Sequence, residues 1–308
     1  MIDVLLQTLP FFALIGLGFA AAARGFFPPE ATAYLTRFVF YFALSAMLFR
    51  FAANLTLSEV LNWPFIWAYA AGGAVVYALA TIVALIRRVG VEEAAVEAQC
   101  AVIGNTGFLG VPMLALLLGE AAIGPVMLVL AVDLFLFGSL IVILITGHRD
   151  GRVSPAVLIS VAKGLATNPM IVSIALGFAW SSTGWALPVP ASRFLEILSG
   201  ASTPGALFAI GASLAVKSAE RLSVASWLSF AKLVLHPAAV AFFALVVFDV
   251  AAYPAGVMIA AAGLPVAGNV YILAQHYNVA PHRASAAILI STLLSILTVS
   301  AILAWVSS

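Results

Sequence analysis

Three ionisable residues stand in the middle of apolar sequence, where they can only be costly or useful. Asp133 lies in LVLAVDLFLFGSL, eleven residues into an apolar segment that begins at about residue 122. In a helix that is about 16 Å from the segment's start. A carboxylate at such depth must be paired, protonated or bound to a cation, and intramembrane ionisable groups are functional candidates. Asp133 could equally accept hydrogen bonds from non-helical backbone of a neighbouring helix. Lys232 and His236 form an i, i+4 pair in AKLVLHPAAVA, just before Pro237. They can offer positive charge to a substrate or pair with Asp133, although the long stem of Lys232 favours snorkelling to the cytoplasmic interface. Glu97 can contact a cation or the substrate path, and Gln275 and His276 can line an exit or rest at an interface.

Two stretches could supply a binding site from backbone alone. GNTGFLGVPM (104–113) holds three glycines, one proline and one asparagine in ten residues. Glycine weakens a helix by roughly 1 kcal/mol relative to alanine, and proline removes a donor. Gly104 to Gly110 is therefore expected to run unwound, with Val111–Pro112 opening a second half-helix. GLPVAGN (263–269) is the matching break, with Pro265 in the interruption and Asn269 placed to cap the half-helix that follows. Half-helix N-termini present free N–H groups and the positive end of a dipole, a site suited to a small carboxylate. Asn105, Thr106, Gly107, Pro112, Pro265, Asn269 and Tyr271 are the residues expected to form it.

The elements that must position these residues are membrane helices. The chain has 308 residues, 64% hydrophobic and 8% charged, with a mean hydropathy of +1.18; a soluble domain keeps about a quarter of its residues charged. The fold class is an all-α polytopic membrane protein, because only helices and closed barrels satisfy their backbone in lipid and the segments are too long and unalternating for barrel strands. Ten segments are expected, at about 4–23, 31–52, 64–86, 91–118, 122–147, 168–182, 192–215, 225–248, 253–277 and 283–306, with a short surface helix from Pro155 to Leu165. With the N-terminus outside, one set of loops receives Arg24, Arg87, Arg88, Arg149, Arg152, Lys163, Lys217, Arg221 and Arg283. The opposite set receives Arg50 and Arg193. By the positive-inside rule both termini face away from the cytoplasm.

The halves match at a constant offset of 159 residues, for example Pro10/Pro169, Gly18/Gly177, Phe49/Phe208, Gly104/Gly263 and Leu114/Leu273. An odd number of helices per half inverts one against the other, giving repeats at 1–150 and 151–308. That architecture is common in secondary transporters, whose sites lie between discontinuous helices.

Several classes are excluded. HExxH, GxSxG and P-loop motifs are absent, and only one aspartate is deep enough for an intramembrane aspartyl protease, so no enzyme is expected. A net charge of +1 carries no signal for nucleic acid, and the single Cys100 leaves no intramolecular disulfide or cysteine-rich metal site. MIDVLLQTLPFF has no basic region and is taken as the first membrane helix rather than a signal peptide.

GNTGFLGVP, GLPVAGNVYILAQHY, FVFYFALSAMLF and STPGALFAIGASL together resemble the auxin efflux carrier family, across essentially the whole chain. That family includes plant carriers and bacterial permeases for malonate and related organic acids. The resemblance implies ten helices in two inverted five-helix repeats, with broken helices four and nine crossing as in sodium–bile acid symporters. It further implies a homodimerising scaffold of helices 1, 2, 6 and 7, a transport domain of helices 3–5 and 8–10 that moves as an elevator, and a bacterial inner membrane. The family's crossover residues map onto Asn105, Pro112, Pro265 and Asn269. Neither crossover keeps the plant Asn-Pro-Asn motif, and Ser45 stands where the family often has proline; these departures bear on auxin as cargo, not on the transport class. The expected function is secondary transport of small organic anions, without a cofactor and with H+ or Na+ as coupling ion, and with Asp133 tuning the site or carrying the proton. A cation-coupled symporter of amphipathic anions and a ligand sensor that does not transport are the alternatives.

Overall fold

The computed structural model describes residues 2–151, 155–215 and 222–306. Arg152, Lys217 and Arg221, three of the cations used to orient the chain, lie outside them. The described residues form helices α1 (Ile2–Ala23), α2 (Pro29–Ala53), α3 (Trp63–Ile86), α4 (Val91–Val102), α5 (Thr106–Leu118), α6 (Glu120–Arg149) and α7 (Pro155–Ala166). After these come α8 (Pro169–Ser181), α9 (Val189–Leu214), α10 (Leu222–Val247), α11 (Ala252–Ala262), α12 (Gly268–Tyr277) and α13 (Pro281–Val306). Seven of them, α1, α2, α3, α6, α9, α10 and α13, are long and apolar enough to cross a bilayer; α7 and α8, bent by 63°, make an eighth if counted as one span. The expected segments 91–118 and 253–277 each divide into two shorter helices, α4 with α5 and α11 with α12.

Local chemistry sets the helix starts. Asn62 accepts a hydrogen bond from the Phe65 N–H at 3.0 Å and Asn168 one from Met170 at 3.0 Å, so each caps a helix whose first turn carries a proline. Five π-turns interrupt the helices, at Val39–Ala43, Thr106–Gly110, Asp133–Phe137, Ala231–Leu235 and Phe243–Val247. Two have a visible cause. Pro112 and Pro237 each follow a π-turn by two residues, and the widened turn takes up the ring that would collide with the carbonyl four residues back. Because Thr106–Gly110 is wound, the unwound stretch is shorter than the sequence indicates: Ile103–Asn105, not Gly104–Gly110.

α1 packs along the second half of α9, and α8 along the second half of α2. The backbones meet closely at both places. A Cβ on Gly18 would strike the Phe208 carbonyl, and one on Gly177 would lie 2.7 Å from that of Phe49. Elsewhere α3 packs on α4, and α10 packs on α3, α11 and α13. α4 and α11 are the innermost elements, with Ala94–Val102 and Ala255–Ala262 entirely buried. An apolar helix surrounded on every side belongs to a core, and the ends of these two helices build the site.

Candidate functional site

α4 stops at Val102 and α11 at Ala262, and the residues beyond them run side by side. Gly104 pairs with Val266 in an antiparallel bridge. The Asn105 N–H donates to the Pro265 carbonyl at 2.8 Å, and the Ala267 N–H donates to the Ile103 carbonyl at 3.1 Å. The Val266 N–H donates to Ser291 Oγ at 3.1 Å. Two interruptions can therefore sit in a dry core, because each supplies much of the hydrogen bonding the other lost. α5 and α12 both begin at this bridge.

Polar side chains gather around it. Asp133 is 4% exposed and accepts from the Tyr69 hydroxyl at 2.8 Å and the Thr106 hydroxyl at 3.2 Å. Its partners are thus side-chain hydroxyls rather than the non-helical backbone that the sequence allowed. Lys232 does not reach an interface: it is wholly buried, donates to the Ala262 carbonyl and lies 3.2 Å from His236 Nδ1. Snorkelling is blocked because the stem points inward from a π-turn packed against α3, α4 and α13. A Cβ at Gly104 would come within 3.3 Å of Lys232 Nζ, so the glycine lets the ammonium settle against the bridge. His236 Nδ1 faces both the Lys232 ammonium and the Ala262 carbonyl, at 3.2 and 3.3 Å, so it accepts from the first in one tautomer or donates to the second in the other, and Nε2 is buried without a partner. The Tyr69 ring stands edge-on to His236 at 5.6 Å, in contact with both halves of the cluster. Asp133 and Lys232 form no direct ion pair: Tyr69, bonded to Asp133, and His236, beside Lys232, stand between them. Thr106, Asp133 and Lys232 each occupy a π-turn, an irregularity that often marks functional positions.

The remaining expected residues divide by environment. Asn105 and Pro265 are buried at the bridge, and Gly107 and Pro112 are buried in α5 beyond it. Asn105 makes no side-chain bond to the turn it precedes. Asn269 is exposed and does not cap: Ala267 holds the cap position of α12 without a side-chain bond, and Asn269 falls in the first turn. Gln275 donates to the half-buried Tyr271 hydroxyl at 2.8 Å. Glu97 is fully buried but is taken by Arg87 and by Arg283, the latter at 2.7 Å. Arg283 also reaches Glu93 at 3.0 Å, and Arg149 holds Glu92 at 2.8 Å and donates to the Tyr277 carbonyl at 2.6 Å. Tyr69 and Ser291 were not singled out from sequence. A tyrosine hydroxyl deep in an apolar helix needs a partner, which was the available signal for Tyr69; nothing local marks Ser291.

The profile of the "Membrane transport protein" family matches residues 3–303. A "Putative malonate transporter" of Rhizobium meliloti (strain 1021) is 34% identical over 300 residues, covering 96% of this chain and 93% of that protein. The match runs through both interruptions and every helix that surrounds them. The chain is a multi-pass membrane protein and belongs to this membrane transport family, the auxin efflux carrier family that its motifs resemble.

Proposed function

We propose that this protein is a secondary transporter of small organic anions, with the carboxylate bound where α5 and α12 begin. The observation that carries the proposal is the pairing of two helix interruptions at Gly104 and Val266, with Asn105 buried beside them. Two helix N-termini at one locus offer unpaired N–H groups and dipole charge to an anion. Asn105, Thr106, Gly107, Pro112, Pro265, Asn269 and Tyr271 are the contact set, and the name of the relative from Rhizobium meliloti points to a short dicarboxylate as first test.

The same reading makes the chain ten membrane passes in two inverted repeats, with segments four and nine crossing at the bridge. The packing pairs support it. Gly177 is the offset partner of Gly18 and Phe49 that of Phe208, so the α1–α9 and α2–α8 contacts are repeat images of each other. α1, α2, α8 and α9 form the scaffold and dimer face, and α3–α6 with α10–α13 form the body that moves as an elevator. Both termini face the periplasm across an inner membrane. Asp133 tunes the site or carries the coupling ion.

Charge movement in proteoliposomes tests the proposal, with malonate, lactate, succinate and indole-acetate as candidates and Asn105→Ala as the site variant. A current for one anion, abolished in the variant, is the expected result. Binding without current or tracer exchange for any anion would replace the transporter by a sensor.

A further inference from the structure

The cluster behind the bridge holds one buried acid and one buried base, and neither is satisfied by the other. We propose that Asp133 and Lys232 form a proton-coupling site that exchanges counter-ions during transport, an inference that rests on the anion-transport reading above. In the empty site, the Lys232 ammonium is balanced by the Asp133 carboxylate through the intervening Tyr69 and His236. When an anion arrives at the helix N-termini, Asp133 takes one proton from the water on the side to which the site is open. Its carboxylate becomes a carboxylic acid, and the Lys232 charge is left to balance the incoming carboxylate. Release on the other side returns the proton to water. One proton crosses with each anion, and no further reactant is needed.

Three observations place the exchange here. First, Lys232 Nζ lies against Gly104, where a Cβ would stand 3.3 Å from it, beside the bridge at which the anion is proposed to bind. Second, Asp133 shares Thr106 with the first turn of α5, so the acid and the anion site are joined by one side chain. Third, the cluster keeps hydrogen-bonding capacity in hand, since His236 Nε2 is buried without a partner.

Among the described residues, the surrounding elements offer no competing ionisable partner at the cluster. α3 contributes Tyr69 and, further along, Tyr77, whose hydroxyl donates to the Ala95 carbonyl at 3.4 Å. α4 brings Glu92, Glu93, Glu97 and Cys100, and α13 brings His282 and Arg283; the three glutamates are held by Arg149, Arg283 and Arg87. α11 turns its terminal carbonyl to Lys232 and carries Tyr253 at its opposite end, bonded to the Leu118 carbonyl.

The experiment counts protons per anion in proteoliposomes loaded with a pH dye, with the membrane potential clamped at zero. Radiolabelled malonate exchange is measured in parallel, because exchange needs no net proton movement. For the unmodified protein, malonate entry should acidify the lumen at one proton per anion. A gradient of one pH unit, acid outside, should concentrate malonate about tenfold. In Asp133→Asn the flux that survives should carry no proton, and the tenfold accumulation should vanish. Net malonate uptake in the unmodified protein without proton entry, exchange being intact, would overturn this inference and leave the transport reading standing. So would residual flux through Asp133→Asn at the original proton ratio. Absence of exchange for all four anions would overturn the transport reading, and this inference with it.

Discussion

At the scale of single residues, the cost of burying charge decides what Asp133 and Lys232 can be. Each is held by dipoles: two hydroxyls for the acid, a carbonyl and an imidazole for the base. Removing one charge strands the other, which in a buried pair costs about 3–5 kcal/mol. Asp133→Asn and Lys232→Gln should each lower the melting temperature of the solubilised protein. The double variant should melt well above the sum of the two losses, with a coupling of about 1–3 kcal/mol. Strict additivity in that cycle would mean the two charges do not sense one another. Gly104→Ala tests the same cluster from the backbone side: its Cβ would press on Lys232 Nζ and the Ala261 carbonyl, 3.3 Å away each. The expected result is weaker anion transport, restored in part when Lys232→Gln removes the crowded ammonium; no recovery would locate the defect in the bridge. Asp133, Lys232 and His236 were legible in sequence because ionisable groups are rare in apolar segments. Tyr69 carried the weaker signal of a hydroxyl deep in an apolar helix, which calls for a partner without saying which one. The burial of Lys232 was hidden, because snorkelling depends on which way a π-turn aims the stem.

At the scale of elements, α4 is the part most dependent on its neighbours. Its first two turns carry Glu92, Glu93 and Glu97, and three arginines close on them from the end of α3, the end of α6 and the start of α13. The acidic residues also suit the positive end of the helix dipole. This clamp fixes α4 at one end, so that the other end meets the bridge at Gly104. Glu97 is its fully buried member, and Glu97→Gln leaves Arg283, 8% exposed, without its closest carboxylate. We expect a loss of about 3 kcal/mol or more in stability, while Arg193→Gln, at an exposed pair on α9, changes stability by less than about 1 kcal/mol. Thermal melts of the two variants check this, and equal effects would show that burial of the clamp contributes nothing. Sequence placed Glu97 near the site and could not distinguish a path residue from a clamp residue, because its partners Arg87 and Arg283 lie 10 and 186 positions away. The helix interruptions were legible from glycine and proline. Their length was not: proline at 112 signals a disturbed turn, and nothing in the composition says that a π-turn will absorb it.

At the scale of the molecule, the repeat offset reads directly onto packing, since Gly18 on Phe208 and Gly177 on Phe49 repeat one contact twice. Such close approaches pack α1 on α9 and α8 on α2, as small residues do wherever apolar helices pack in lipid, and in the proposed transporter these four helices are one unit. In the same proposal α3–α6 and α10–α13 are the other unit, and the arginine clamp ties α3, α6 and α13 to α4 within it. These units touch where α1 lies against α13 and where α9 lies against α5, and at the first of these the Thr8 hydroxyl meets that of Ser300 at 2.8 Å. If one unit slides past the other during transport, this contact must break in each cycle. Contacts inside a unit need not, such as the Ser229 hydroxyl on the Ala287 carbonyl at 3.5 Å. Cys100 is the chain's single cysteine and is buried, so Cys100→Ala gives a background for paired cysteines. Thr8→Cys with Ser300→Cys should stop anion flux on oxidation and regain it on reduction, whereas Ser229→Cys with Ala287→Cys should carry flux in both states. Undiminished flux through the oxidised Thr8/Ser300 pair, with the disulfide verified by mass, would exclude sliding at this face. The site at the bridge would then have to open by movement of α5 and α12 alone.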